Sequence, residues 1–167
     1  MDALSANILT DELNEAQPCV TCEEICTGYP DGGCLDRLRT AGLRPTRQRL
    51  MLGELLFLKG DRHVTAEMLY AEAVQANIQL SLATVYNTLN QFTQAGLLRR
   101  IGPDGSKSFF DTNTSVHPHF YLEGEDILVD IPDTLALEHM PDALPGHEIS
   151  RLDIIIHIRR KPQDADI

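Results

Sequence analysis

The hydrophobic period of the chain changes at Gly96, and that change limits the folds open to it. Before Gly96 apolar residues recur at helical spacing. Leu50, Leu52, Leu55, Leu56 and Leu58 follow Pro45; Met68, Leu69, Ala73 and Val74 follow Thr65; Val85, Leu89 and Phe92 follow Ser81. The spacing predicts three helices: one with Pro45 at its first helical position, one capped by Thr65 with Glu67 in its first turn, and one from Ser81 to Ala95 that Gly96 stops. A shorter helical stretch precedes them, from Asp36 to Ala41. Beyond Gly96, Leu97 to Ile101 and Ser106 to Phe110 flank Gly102-Pro103-Asp104-Gly105, the pattern of a β-hairpin. Helices followed by a hairpin describe a winged helix-turn-helix. The rest reads as a second small unit, with a strand near Ile127 to Ile131, a helix from Thr134 to Met140 and an alternating strand from Leu152 to Arg159. The expected class is α+β, with a winged-helix domain over residues 36–112 followed by a small α/β domain over 113–167.

Charge sorts the chain in the same way. Residues 36–110 carry ten Lys/Arg against six Asp/Glu, whereas residues 1–35 carry seven acidic groups and no basic one, and residues 111–167 carry four basic against twelve acidic. A chain with a net charge of −11 is a poor polyanion binder as a whole. Its middle segment, at net +4, is not. Within it, Arg44, Thr46, Arg47 and Arg49 cluster at a helix entry, where guanidinium groups and free N–H groups hold phosphates. Thr84, Tyr86 and Asn87 are early polar residues of the helix that would enter the major groove. Tyr86 is placed for a thymine methyl or a phosphate, and Asn87 for adenine. Arg99 and Lys107 would add positive charge on the wing.

The four cysteines, Cys19, Cys22, Cys26 and Cys34, all fall in the acidic first segment, which reads as a mobile arm. Their spacing could wrap a zinc ion or an iron–sulfur cluster, although a zinc ribbon would show two separated C-x2-C pairs. No basic stretch leads into an apolar one at the start, and the most apolar run, Leu50 to Leu58, is too short for a bilayer. A cytoplasmic location with reduced thiols is therefore expected. There is no phosphate-cradling glycine loop and no nucleophile paired with a base, so an enzyme is not expected.

Several motifs in order, A-G-L-R-P-T-R-Q-R from Ala41, R-H-V-T-A-E-M-L-Y from Arg62, S-L-A-T-V-Y-N-T-L from Ser81, D-G-S-K-S-F-F-D from Asp104 and H-P-H-F from His117, resemble the ferric uptake regulator family. The resemblance implies a winged helix joined to a dimerisation domain, a homodimer on a palindromic DNA operator, and a hinge metal that fixes the angle between the DNA-binding domains. It further implies that His63, Asp111, His117 and His119 hold a divalent metal such as iron, manganese or zinc.

Where that family has a C-x-x-C pair after the H-x-H, this chain has Leu122 and Glu125; Val116 and Pro118 likewise replace ligands of a neighbouring site. Loss of those ligands with the H-x-H retained resembles the iron response regulator branch, in which haem bears on regulation, and makes His117 and His119 candidate haem ligands. A Cys-Pro haem motif of some members stands here in reverse order, as Pro18-Cys19. The sequence reading is thus an iron-responsive, haem-linked regulator. A metal-dependent regulator of manganese, zinc or peroxide response is the nearer alternative, and a Cys-based redox or metal-handling protein the alternative of a different class.

Overall fold

The computed structural model describes residues 33–103, 105, 107–132, 139 and 141–161. Helix α1 spans Gly33–Thr40, α2 Arg47–Phe57, α3 Ala66–Gln75 and α4 Leu82–Gln94. Each of the last three begins at a hydroxyl cap. Thr46 accepts from the Arg49 N–H, Thr65 from Met68 and Ser81 from Thr84, satisfying amides that have no partner inside the helix. The α2 start differs from expectation. Pro45 precedes the cap instead of occupying the first helical position, because Thr46 supplies the oxygen that the free amide needs. Helix α4 ends where expected: Gly96 takes φ +74° and lets the Leu97 N–H return to the Phe92 carbonyl at 2.9 Å.

The main core gathers Leu38, Leu50, Leu52, Leu56, Leu69, Val85, Leu89 and Phe92 from the four helices, with Val64 and Phe110 from the strands beside them. At roughly 1.5–3 kcal/mol per fully buried large apolar side chain, this layer is the main source of cohesion. Two expected inward residues, Met68 and Val74, are instead exposed at 45% and 53%. Ala66, Leu69 and Ala73 form the inner stripe of so short a helix. The helical stretch expected from Asp36 opens earlier, at Gly33, and Cys34 lies in this core.

Among the described residues the strands form two three-stranded sheets. The first, in order β1-β3-β2, is antiparallel and pairs His63–Val64 (β1) and Arg99–Ile101 (β2) with Phe109–Asp111 (β3). The second has order β5-β4-β6, with His119–Leu122 (β4) antiparallel to Ile127–Asp130 (β5) and parallel to Ile155–Ile158 (β6). All four expected strands are shorter than predicted. Neither β1 nor β4 was expected: β1 has two residues, and His119-Phe120-Tyr121-Leu122 shows no alternation of apolar and polar residues. The expected helix over 134–140 falls outside the described residues, apart from His139.

A second apolar cluster joins the sheets: Ile101 and Phe109 from the first meet Tyr121, Leu128 and Ile155 from the second. The register then decides what the far side of β5-β4-β6 presents. Phe120 pairs with Val129 and Ile156, and Leu122 with Ile127 and Ile158, so six apolar side chains share one face. Among the described residues no helix is long and apolar enough to cross a membrane.

Candidate metal centre and nucleic-acid face

Strand pairing creates the candidate metal centre. β1 sets His63 opposite Asp111 on β3, and β4 sets His119 opposite Asp130 on β5. His117 arrives from the connection between the sheets. The result is three imidazoles and two carboxylates whose ligand atoms all lie within 4.8 Å of one another. The Nε2 atoms of His63, His117 and His119 lie 3.5, 3.3 and 3.5 Å from Asp111 Oδ2, and 3.0, 2.8 and 3.4 Å from Asp130 Oδ1.

The surrounding contacts aim these atoms inward. Asp111 spends its other oxygen on the Asn113 N–H at 2.8 Å. His117 Nδ1 lies 3.1 Å from the Ser115 carbonyl, which can only accept; with the proton on Nδ1, the Nε2 lone pair faces the cluster. Burial would by itself raise the Asp111 carboxyl, but His119, His63 and the Asn113 amide hold it well below the usual carboxylate range. An ionised carboxylate is what a cation requires.

The donor set fits a metal ion by a direct test. His63 Nε2, Asp111 Oδ2 and His119 Nε2 are buried without hydrogen-bond partners. Polar atoms in that state cost about 1–3 kcal/mol each unless something compensates them. A cation among them would compensate all three. Five nitrogen and oxygen donors suit a divalent first-row ion and do not choose among iron, manganese and zinc.

The four residues named from sequence as candidate ligands are therefore brought together, and Asp130 is a fifth candidate that sequence reasoning missed. The signal open to it was an acidic residue closing the apolar strand Ile127-Leu128-Val129. For haem the same geometry is less apt. The His117 and His119 rings pack 4.4 Å apart, and His119 is 1% exposed with its Nε2 inside the cluster, so axial ligation there would have to open the centre.

The residues expected at DNA divide. Arg44, Thr46, Thr84, Tyr86 and Asn87 lie towards solvent, and an open groove of about 310 Å³ runs between α2 and α4, lined by Thr46, Gln48, Arg49, Thr84, Asn87 and Gln91 among others. Arg49 is a strut of this face: its guanidinium donates to Gln91 Oε1 at 3.1 and 2.9 Å and to the Arg44 carbonyl at 2.6 Å. Two expectations are corrected. Arg99 is 9% exposed and donates to Ser115, Leu152 and Asp153, while Lys107 is paired with Asp126 in the β4–β5 turn. Both tie the first sheet towards the second.

Cys34 is corrected as well. It is 3% exposed and lies 3.7 Å from the Leu50 carbonyl, so it is a core residue of α1. Cys19, Cys22 and Cys26 fall outside the described residues.

Residues 40–134 match the model of the Ferric uptake regulator family. The chain belongs to the ferric uptake regulator family. The Ferric uptake regulation protein of Vibrio parahaemolyticus is 30% identical to it over 130 residues, 77% of this chain and 87% of that protein. That of Shigella flexneri is 42% identical over 85 residues, 51% of this chain and 57% of that protein, so this match spans little more than half of the relative. Among solved structures, the ferric uptake regulator from Pseudomonas aeruginosa with manganese superposes with a TM-score of 0.60 at 27% identity, covering 77% of this chain and 98% of that one. The Vibrio cholerae ferric uptake regulator gives 0.61 at 26%, covering 75% and 98%.

Proposed function

We propose that this member of the ferric uptake regulator family is a metal-responsive transcription regulator that binds DNA as a homodimer, with a divalent ion at the centre of His63, Asp111, His117, His119 and Asp130. The single observation that carries the reading is the convergence of those five donors from both sheets, three of their atoms being buried without a partner. When bound, the ion would supply a positive charge that links the sheets. The residues do the rest. His63 and Asp111 stand on strands packed against the helical layer, whereas His119 and Asp130 belong to the second sheet. Closing the five together therefore favours one angle between the halves, and binding free energy becomes a choice of conformation.

In this reading α3 and α4 are the helix-turn-helix and β2-β3 the wing, with Arg44 and Thr46 positioned for phosphates and Thr84, Tyr86 and Asn87 for base edges. The manganese in the Pseudomonas aeruginosa relative supports a metal at such a site. A second copy of the chain suits the apolar face of β5-β4-β6, where Ile127, Val129, Ile156 and Ile158 are 37–44% exposed side by side. A two-fold interface reuses the same patch on both partners and would set two α4 helices on a palindromic site.

The iron response regulator branch is the finer form of this reading. It is favoured by Leu122 and Glu125 at the C-x-x-C positions and would carry iron status as haem through His117 and His119. The compact centre supports an ion over haem.

An operator selected from a random-sequence pool decides between them. Its affinity is measured with chelator-treated protein and with protein loaded with manganese, zinc, ferrous iron or haem, while sedimentation reports the assembly state. An affinity raised at least about tenfold by a divalent ion is expected, the size of a typical allosteric coupling. A haem effect without a divalent effect would favour the haem branch, and a monomer that retains no DNA under any condition would sink the proposal.

A further inference from the structure

Along α4 the residues Val85, Leu89 and Phe92 turn into the core, while Asn87, Asn90 and Gln94 are exposed. Tyr86 stands at the border of that exposed face, 39% exposed, and its hydroxyl donates to Glu67 Oε1 at 2.6 Å. Glu67 is the second residue of α3, close to the free amides of the helix start, which favour a carboxylate. The hydrogen bond from Tyr86 holds the Glu67 carboxyl below its ordinary range, and the same bond raises the Tyr86 hydroxyl above its own. The proton thus stays on the tyrosine and the bond persists at neutral pH.

Building on the DNA-binding reading above, we infer that Glu67 is a positioning residue for sequence readout, holding Tyr86 so that it meets DNA as an acceptor and an apolar ring and not as a donor to phosphate. A phenol has one proton to give, and phosphate oxygens only accept. With that proton committed to Glu67, Tyr86 has lone pairs left for the amino group of an adenine or cytosine, and a ring edge for a thymine methyl. Of the two contacts open to Tyr86 from sequence, the base is therefore the one the hydrogen bond selects. Glu67 acts in a second way, since a carboxylate beside the reading helix repels the phosphates of any sequence. That repulsion lowers affinity for right and wrong sites alike, so the discrimination rests on the hydrogen bond to Tyr86.

The test compares Glu67→Gln, Glu67→Ala, Tyr86→Phe and the double variant Glu67→Ala/Tyr86→Phe as metal-loaded full-length protein. Each is titrated with the selected operator, with single-base variants of it and with a scrambled duplex, and thermal melting checks folding. Glu67→Ala should bind the scrambled duplex more tightly and lose about tenfold in discrimination against the wrong base at one position, the scale of a single base contact. Glu67→Gln keeps an acceptor oxygen without the charge, so it should keep the discrimination while binding the scrambled duplex more tightly. Tyr86→Phe should lose discrimination at that same position, and the double variant should be no less discriminating than Tyr86→Phe alone.

Unchanged discrimination in Glu67→Ala overturns the inference. So does an equal loss in Glu67→Gln and Glu67→Ala accompanied by lower melting temperatures, which marks a merely structural role. A wild-type protein that does not distinguish operator from scrambled duplex in any metal state overturns the DNA-binding reading itself, a different and recognisable failure.

Discussion

Arg99 and Asp153 form an ion pair between residues 54 apart in sequence, joining strand β2 to the segment that leads into β6. The Arg99 guanidinium also donates to the carbonyls of Ser115 at 2.7 Å and Leu152 at 2.9 Å, so one side chain ties two other stretches of chain to β2. Asp153→Ala would leave a buried cation with carbonyl acceptors alone. The expected loss is about 1–3 kcal/mol, below the 3–5 of a fully buried pair. The discount follows from the 31% exposure of Asp153. Urea unfolding measures it. Because Arg99 points into this joint, Arg99→Ala should leave the salt dependence of DNA binding as in wild type, whereas Arg44→Ala should lower the slope by about one. An equal drop in both would place Arg99 at the phosphates after all.

The same pair sets a pH dependence. Burial pushes the Asp153 carboxyl up, but Arg151 and Arg99 outweigh it and hold the carboxyl below its ordinary range. A carboxyl depressed in the folded state contributes stability that is fully present above its unfolded value near ~3.9 and fades as pH falls through the folded value. In chelator, the stability gap between wild type and Asp153→Asn should be flat above about pH 5 and should close below about pH 4. Urea midpoints between those limits test it; a gap that widens as pH falls would show the sign to be wrong.

The helical layer was legible in sequence because its caps and stops are local chemistry: Thr65, Ser81 and Gly96 act on amides within a few residues of themselves. Four of the five residues that converge at the candidate centre had been named through family resemblance, from a motif that gives their types and order. Asp130 and β4 were not, because His119-Phe120-Tyr121-Leu122 shows no alternation, and only its pairing with β5 sets His119 opposite Asp130. Arg99, Lys107 and Cys34 were misread for one reason. Composition assigns a charge or a thiol to a segment, but burial against Asp153, against Asp126 and under Leu50 is a fact of tertiary packing.

Asp130 offers a test of the five-donor centre. Its Oδ1 lies within 3.4 Å of all three imidazole Nε2 atoms, a position equivalent to that of Asp111. Asp130→Ala and Asp111→Ala should therefore weaken manganese binding to similar degrees, with Asp130→Ala at least about tenfold weaker than wild type, the effect that loss of even an outer-shell partner can have. Manganese at 100 times its Kd should raise wild-type stability by about 2.7 kcal/mol, an increment that a tenfold weaker site would cut to about 1.4 kcal/mol or less at the same concentration. Calorimetry and thermal melting read the two effects. A normal manganese response in Asp130→Ala would reduce the centre to the four residues named by the motif.

Gly53 supplies a prediction of unusual sign. It lies inside α2, where Gly→Ala ordinarily stabilises a helix by about 0.4–1 kcal/mol. A Cβ at Gly53 would, however, fall 2.2 Å from Cys34 Sγ, closer than atoms can approach. Both residues belong to a closely packed interior with little room for either to move, so Gly53→Ala should destabilise by about 1–3 kcal/mol, the usual penalty of overpacking. Cys34→Ala removes the obstructing sulfur and should by itself cost less than a large apolar truncation. The double variant Cys34→Ala/Gly53→Ala should then be more stable than the sum of the single losses predicts, by at least about 1 kcal/mol, within the range seen for residues in contact. A double-mutant cycle by urea unfolding measures that coupling. Additive losses would mean that α1 shifts to admit the methyl group, and that the approach of Cys34 to Gly53 does not fix how α1 lies on α2.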